Sequence, residues 1–120
     1  ARTAAGHAAP TPETIQESAT RLKRLAEAHP EVRLVTENWW GMLPDADTVL
    51  ALLEETGDAV GFLIDLDNWK GPDKYDELAR VAPLAETCHA KCRFTAEGPD
   101  AEKALDALNE LVASRFGEDN

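Results

Sequence analysis

The chain has 120 residues, 29% of them charged and 43% hydrophobic, the composition of one ordinary globular domain. Its 23 acidic and 12 basic residues leave a formal net charge of -11, which repels phosphate backbones and anionic lipid surfaces. Neither nucleic acid nor a membrane is therefore an expected partner. No apolar run approaches the roughly 20 residues that cross a bilayer, and "ARTAAGHAAPTPET" has no hydrophobic core of the signal-peptide type.

Residues 1–10 read as a flexible lead-in and residues 11–120 as a single α/β domain. The helical pattern starts at Thr11, which can cap, followed by Pro12 in the first turn and Glu13 favouring the helix dipole. Ile15, Ala19, Leu22 and Ala26 recur at helical spacing up to the stop at His29-Pro30. "VRLVTE" (32–37), short and β-branched, predicts a strand. Pro44 and Asp45 open a second helix carrying Val49, Leu50, Leu52 and Leu53, ended by Gly57 in a left-handed cap. "AVGFLID" (59–65) is a continuous apolar run of the kind that forms a strand buried on both faces.

The turn "NWKGPD" leads to a third helix with Tyr75, Leu78, Ala79 and Ala82 on one side. "ETCHAKCRFTA" (86–96) predicts a third strand, broken by Gly98-Pro99-Asp100. A last helix follows with an apolar stripe of Ala101, Ala104, Leu105, Leu108, Leu111 and Val112, closed by Phe116 and Gly117 and expected to cover the sheet. Strands alternating with helices imply parallel pairing. The expected fold class is α/β, with three parallel strands alternating with four helices in a partial (βα) barrel-like or small open sheet.

Cys88 and Cys92 lie four apart in one predicted strand, roughly 13 Å between side chains at the usual rise, too far for a disulfide. A reduced, cytoplasmic setting and buried structural thiols follow. A zinc half-site of the two cysteines with His89 is disfavoured, because strand parity puts the cysteines on the face opposite His89.

The strand ends carry the chemistry. The first strand ends at Glu37, the second at Asp65, and the third carries His89 on one face with Thr87 and Lys91. Ligands of parallel α/β folds gather at the carboxyl ends of strands. Any one such residue is more often a solvated or capping group; the three together make an oxygen-and-nitrogen set suited to Mn²⁺, Mg²⁺, Co²⁺ or Zn²⁺.

On "VRLVTENWWG" and "GFLIDLDNWKGPDKYDELARVAPLAETCHAKCRF", residues 11–95 resemble the central part of xylose-isomerase-like TIM barrels, the sugar phosphate isomerases and epimerases. The family's strand-terminal EN motif matches Glu37-Asn38, its D-x-x-N/H motif runs from Asp65 to Asn68, and its H-x-K motif from His89 to Lys91. The resemblance implies Glu37, Asp65 and His89 as ligands of a divalent metal, with Glu37 also a catalytic carboxylate that moves a proton between adjacent carbons of a sugar. It implies Asn68 and Lys91 beside substrate hydroxyls, and Trp39, Trp40 or Trp69 as an apolar wall against a sugar ring. The substrate would be a small sugar or sugar phosphate. A full barrel has eight strands, and the family's fourth ligand, a glutamate that is also the second acid/base group, has no counterpart here.

"FTAEGPDAEKALDALNELVASRFGED" (94–119) is similar to the C-terminal strand and helix of HPr, the histidine phosphocarrier of the sugar phosphotransferase system. The carrier's histidine sits in a Gly-x-His-Ala-Arg-Pro context, whereas "GHAAP" (6–10) carries His7 without the arginine. Phosphocarrier activity is disfavoured on that ground. Two resemblances meeting near "RFTAEG" imply a chimera, a barrel fragment that borrows an amphipathic helix. Three functions stay open: a metal-binding fragment derived from an isomerase or epimerase, an engineered or recombined scaffold without activity, and a phosphotransferase-system interaction module. Open sheet edges would favour a homo-oligomer.

Overall fold

The computed structural model describes residues 1–91 and 95–114. Eight main elements alternate in chain order: β1 (Arg2–Thr3), α1 (Pro12–Ala28), β2 (Val35–Glu37), α2 (Ala46–Thr56), β3 (Gly61–Asp65), α3 (Lys74–Val81), β4 (Ala85–His89) and α4 (Ala101–Ala113). The four strands form one sheet in the order β1-β2-β3-β4, every neighbour parallel. The α/β class and parallel sheet match the sequence reading, with one strand more than the three expected. The extra strand is β1, inside the stretch expected to be a flexible lead-in. A two-residue strand has no room for a periodic signal.

The helix starts follow from local chemistry. Thr11 caps α1, its hydroxyl accepting from the Thr14 backbone N–H at 3.1 Å while its own N–H donates to Thr14 Oγ1 at 2.8 Å. Asp45 caps α2 in the same reciprocal way with Thr48. Gly57 closes α2 at φ 55°, a left-handed position that a side chain would strain.

α1 packs on α2 and α2 on α3, so the three helices cover one face of the sheet. Phe62 and Ile64 of β3 point into that layer, where Ala19, Leu22, Val49, Leu52, Leu78 and Val81 complete the core. Tyr75, expected on the apolar side of α3, is 76% exposed; Val81 takes the inward position instead. No residue of α4 is fully buried: in the apolar stripe Ala101, Leu105 and Leu108 are half-buried, while Leu111 and Val112 are among the exposed hydrophobics. Cys88 is exposed, which corrects the expectation of a buried thiol: among the described residues β4 is an edge strand, and four of its five residues are exposed. The third predicted strand ends at His89, and residues 90–91 and 95–96, also expected in it, are not strand; its residues 92–94, Cys92 among them, and the helix stop at Phe116 and Gly117 lie outside the described residues.

Register decides which side chains reach the second face. Glu37 lies beside Leu63, and Arg2 beside Val35, so Arg2, Glu37, Leu63 and Asp65 point away from the helices by strand alternation. Between β3 and β4 the pairing slips by one residue: Phe62 faces Ala85, yet Leu63 faces Thr87. Glu86 is the residue bulged out. An unbroken ladder would set Cys88 opposite Asp65; the bulge sets His89 there. Around the bulge Glu86 accepts two hydrogen bonds from the Arg33 guanidinium, one from Nε at 3.1 Å. Its carboxylate lies over Gly61, where a Cβ would come within 2.5 Å of it. A side chain at position 61 would push the flexible end of Glu86 aside and disturb its pairing with Arg33.

Candidate metal centre

Glu37, Asp65 and His89 come from the carboxyl ends of three adjacent parallel strands, and each offers one ligand atom within 4.8 Å of the others. Glu37 and Asp65 are each only 6% exposed, while the His89 side chain is half exposed. They line a cleft of about 310 Å³ together with Arg2, Trp39, Asp67, Asn68, Lys70 and Lys91.

Asp65 is the most constrained of the three. Its Oδ1 accepts backbone N–H groups of Asp67 at 2.7 Å and Asn68 at 3.0 Å, which folds the loop back over the strand end. Its Oδ2 lies 2.7 Å from His89 Nδ1. Burial disfavours the charged form, yet the hydrogen bonds from Asp67, His89 and Asn68 outweigh it and hold the Asp65 carboxyl below the usual carboxylate range. An ionised carboxylate only accepts, so the His89 ring donates through Nδ1–H and is oriented by Asp65.

The end of β2 is locked to the end of β3 by Asn38. This side chain is fully buried; its Oδ1 accepts from the Asp65 N–H at 2.6 Å and its Nδ2 donates to the Asp65 carbonyl at 3.0 Å. Glu37, one residue before, is thereby held at a fixed distance from Asp65. Among the described residues Glu37 Oε2 is buried without a hydrogen-bond partner. The nearest cation among them is Arg2 Nη1 at 3.6 Å, close enough for an ion pair and too far for a hydrogen bond. A buried carboxylate oxygen in that condition has unmet capacity for a cation.

The residues singled out by sequence divide into two groups. Glu37, Asp65, Asn68, His89 and Lys91 meet in one cleft with Trp39 on its wall. Trp40 and Trp69 border a neighbouring hollow with Pro44, Asn68 and Lys70. Trp69 is 4% exposed and its indole N–H donates to the Leu43 carbonyl at 2.9 Å, which makes it part of the core. Trp40 is largely exposed and stacks on Trp39 with ring centroids 6.0 Å apart. Asn68 Nδ2 is a buried donor without a partner among the described residues. Sequence reasoning missed Arg2 and Lys70 altogether. A charged residue in a chain-end segment gives no sign that it will be laid beside a strand.

Part of the chain, 45 residues or 38% of it, is 47% identical to the phosphoryl donor subunit DhaM of a PEP-dependent dihydroxyacetone kinase from Pantoea ananatis (strain LMG 20103). The matched stretch is 10% of that protein, so the chain spans about a tenth of the length of this curated relative. No family model matches the chain. No solved structure matches it. The partial homologue is a phosphoryl donor, which supports the phosphocarrier half of the two resemblances. The isomerase half rests on the strand-end motifs alone.

Proposed function

We propose that this protein binds a divalent cation between Glu37, Asp65 and His89. The observation that carries the reading is the convergence of the three donors within 4.8 Å around a buried Glu37 oxygen that has no hydrogen-bond partner among the described residues. Two carboxylates and one imidazole suit Mn²⁺, Mg²⁺, Co²⁺ or Zn²⁺. The fit is supported from behind by the Asn38 clamp and by the backbone N–H groups that orient Asp65.

When bound, the cation would act as a Lewis acid toward a substrate oxygen. The chain's own groups would bind and orient a small sugar or sugar phosphate: Asn68 Nδ2 and Lys91 as donors to its oxygens, Trp39 as an apolar wall. Glu37 would be the carboxylate nearest a transferred proton. A two-base proton exchange needs a second carboxylate across the substrate. The reading is therefore of a cation-binding isomerase-type cleft rather than of a complete isomerase.

Calorimetric titration of the full chain with MnCl₂ and ZnCl₂ tests this. One site is expected, weakened at least about tenfold by Glu37→Gln, since a lost ligand removes over 1.4 kcal/mol. No heat of binding, or equal binding by the variant, rejects it. A second reading, favoured by the similarity to DhaM, is a phosphotransferase-system interaction module, with His7 exposed on the surface. Incubation with phosphoenolpyruvate and enzyme I of that system would then add a phosphoryl group to the chain, and an unchanged intact mass removes this reading.

A further inference from the structure

We propose that Arg2 is a cation-gated anion receptor: it pairs with Glu37 and turns to a ligand oxyanion once a divalent cation sits between Glu37, Asp65 and His89. The inference rests on the cation-binding reading and extends it to the class of ligand. Three observations carry it. Arg2 is half exposed and lies 3.6 Å from a Glu37 oxygen to which it makes no hydrogen bond, so it is a loosely held counter-ion. It belongs to a two-residue strand paired on one side only, and its long side chain reaches the cleft from that edge.

The third observation is charge. In a chain of net charge -11, the cleft gathers Arg2, Lys70 and Lys91 against Glu37, Asp65 and Asp67, an even balance. Asp67 is already opposed by Lys74, 3.8 Å away outside that set. A divalent cation held by Glu37 and Asp65 converts this balance into an excess of two positive charges within one concave surface. At the same time its two positive charges take up much of the Glu37 charge that holds Arg2 and repel the guanidinium, which weakens this ion pair. The guanidinium is then free to present its fork to an oxyanion.

Because Arg2 starts beside a ligand oxygen, its new partner must lie next to the cation. The ligand class is a small molecule whose phosphate or carboxylate group is adjacent to the oxygen that reaches the cation. Both sources offer the same oxyanion chemistry, and two weakly chelating probes separate them: methylphosphonate for the phosphate type and glycolate for a carboxylate beside a hydroxyl.

The full chain is titrated with each probe with and without Mn²⁺, following Trp39 emission and heat. At least one probe is expected to bind the Mn²⁺-loaded chain about tenfold more tightly than the metal-free chain, the scale of an ordinary coupling between two ligands. Arg2→Ala should lose that gain while binding Mn²⁺ no more weakly than the parent, and Arg2→Lys should recover part of it. Probe binding that is equal with and without Mn²⁺, or equal in Arg2→Ala, overturns the proposal while leaving the cation site standing. Failure of Mn²⁺ to bind the parent chain overturns both. Circular dichroism of Arg2→Ala shows whether the sheet is retained, as its exposed position predicts.

Discussion

Asn38→Ala is the substitution that best separates a built site from an accidental meeting of side chains. Asn38 is fully buried and closes two hydrogen bonds with the Asp65 backbone, at 2.6 and 3.0 Å. Alanine removes both partners at once and leaves a buried N–H and a buried carbonyl unsatisfied. Each orphaned group costs about 1–3 kcal/mol, so the loss is about 2–6 kcal/mol. For a chain of this size, at about 4 °C per kcal/mol, that corresponds to a fall in melting temperature of about 8–24 °C. Thermal denaturation followed by far-ultraviolet circular dichroism reads it directly. Asn38→Asp is the companion variant: it keeps an acceptor for the Asp65 N–H but sets a carboxylate against the Asp65 carbonyl, and is expected to be destabilised as well. A fall of less than about 3 °C for Asn38→Ala, under 1 kcal/mol on the same scale, would refute the claim that this side chain joins β2 to β3.

Two further predictions concern the frame around the site. The Arg33–Glu86 pair is about half exposed on both sides, so Arg33→Ala should cost no more than about 1 kcal/mol. Arg33 holds the Glu86 carboxyl below its usual range. The pair's contribution should therefore be complete above about pH 4.3, the unperturbed glutamate value, and fade as the pH falls through the depressed one; equal pH dependence of parent and Arg33→Ala unfolding would contradict this. Trp69→Phe removes the buried indole bond to the Leu43 carbonyl and should cost about 1–3 kcal/mol in urea denaturation, and an unchanged midpoint would show that this bond contributes nothing.

Helix starts were legible in the sequence because capping is local: Thr11 and Asp45 act on residues three positions ahead. The strand "GFLID" was legible because a parallel strand buried on both faces is apolar throughout. Glu37, Asp65 and His89 stood out as polar groups at the ends of such runs. What joins them was not legible. The bulge at Glu86, which sets His89 rather than Cys88 opposite Asp65, lays that side chain against Arg33 and Gly61, both distant in sequence. Asn38 enters the sequence reading only as the second residue of the EN motif, and only the neighbouring strand shows that its side chain bonds the Asp65 backbone. Trp69 and Trp40 carry the same side chain, yet one fills the core and the other is exposed, a difference fixed by the hydrogen bond to Leu43. The α4 stripe shows the converse: amphipathic spacing announces a helix but does not say which surface, if any, receives it.

The central claim, that Glu37, Asp65 and His89 hold a divalent cation, is tested most directly by an anomalous-difference map from crystals grown with Mn²⁺. The account predicts one peak at the carboxyl end of the sheet, with oxygen and nitrogen ligands from all three side chains at about 2.0–2.3 Å. A map with no peak between these residues, or with the ion bound elsewhere while Arg2 stays on Glu37, would contradict it.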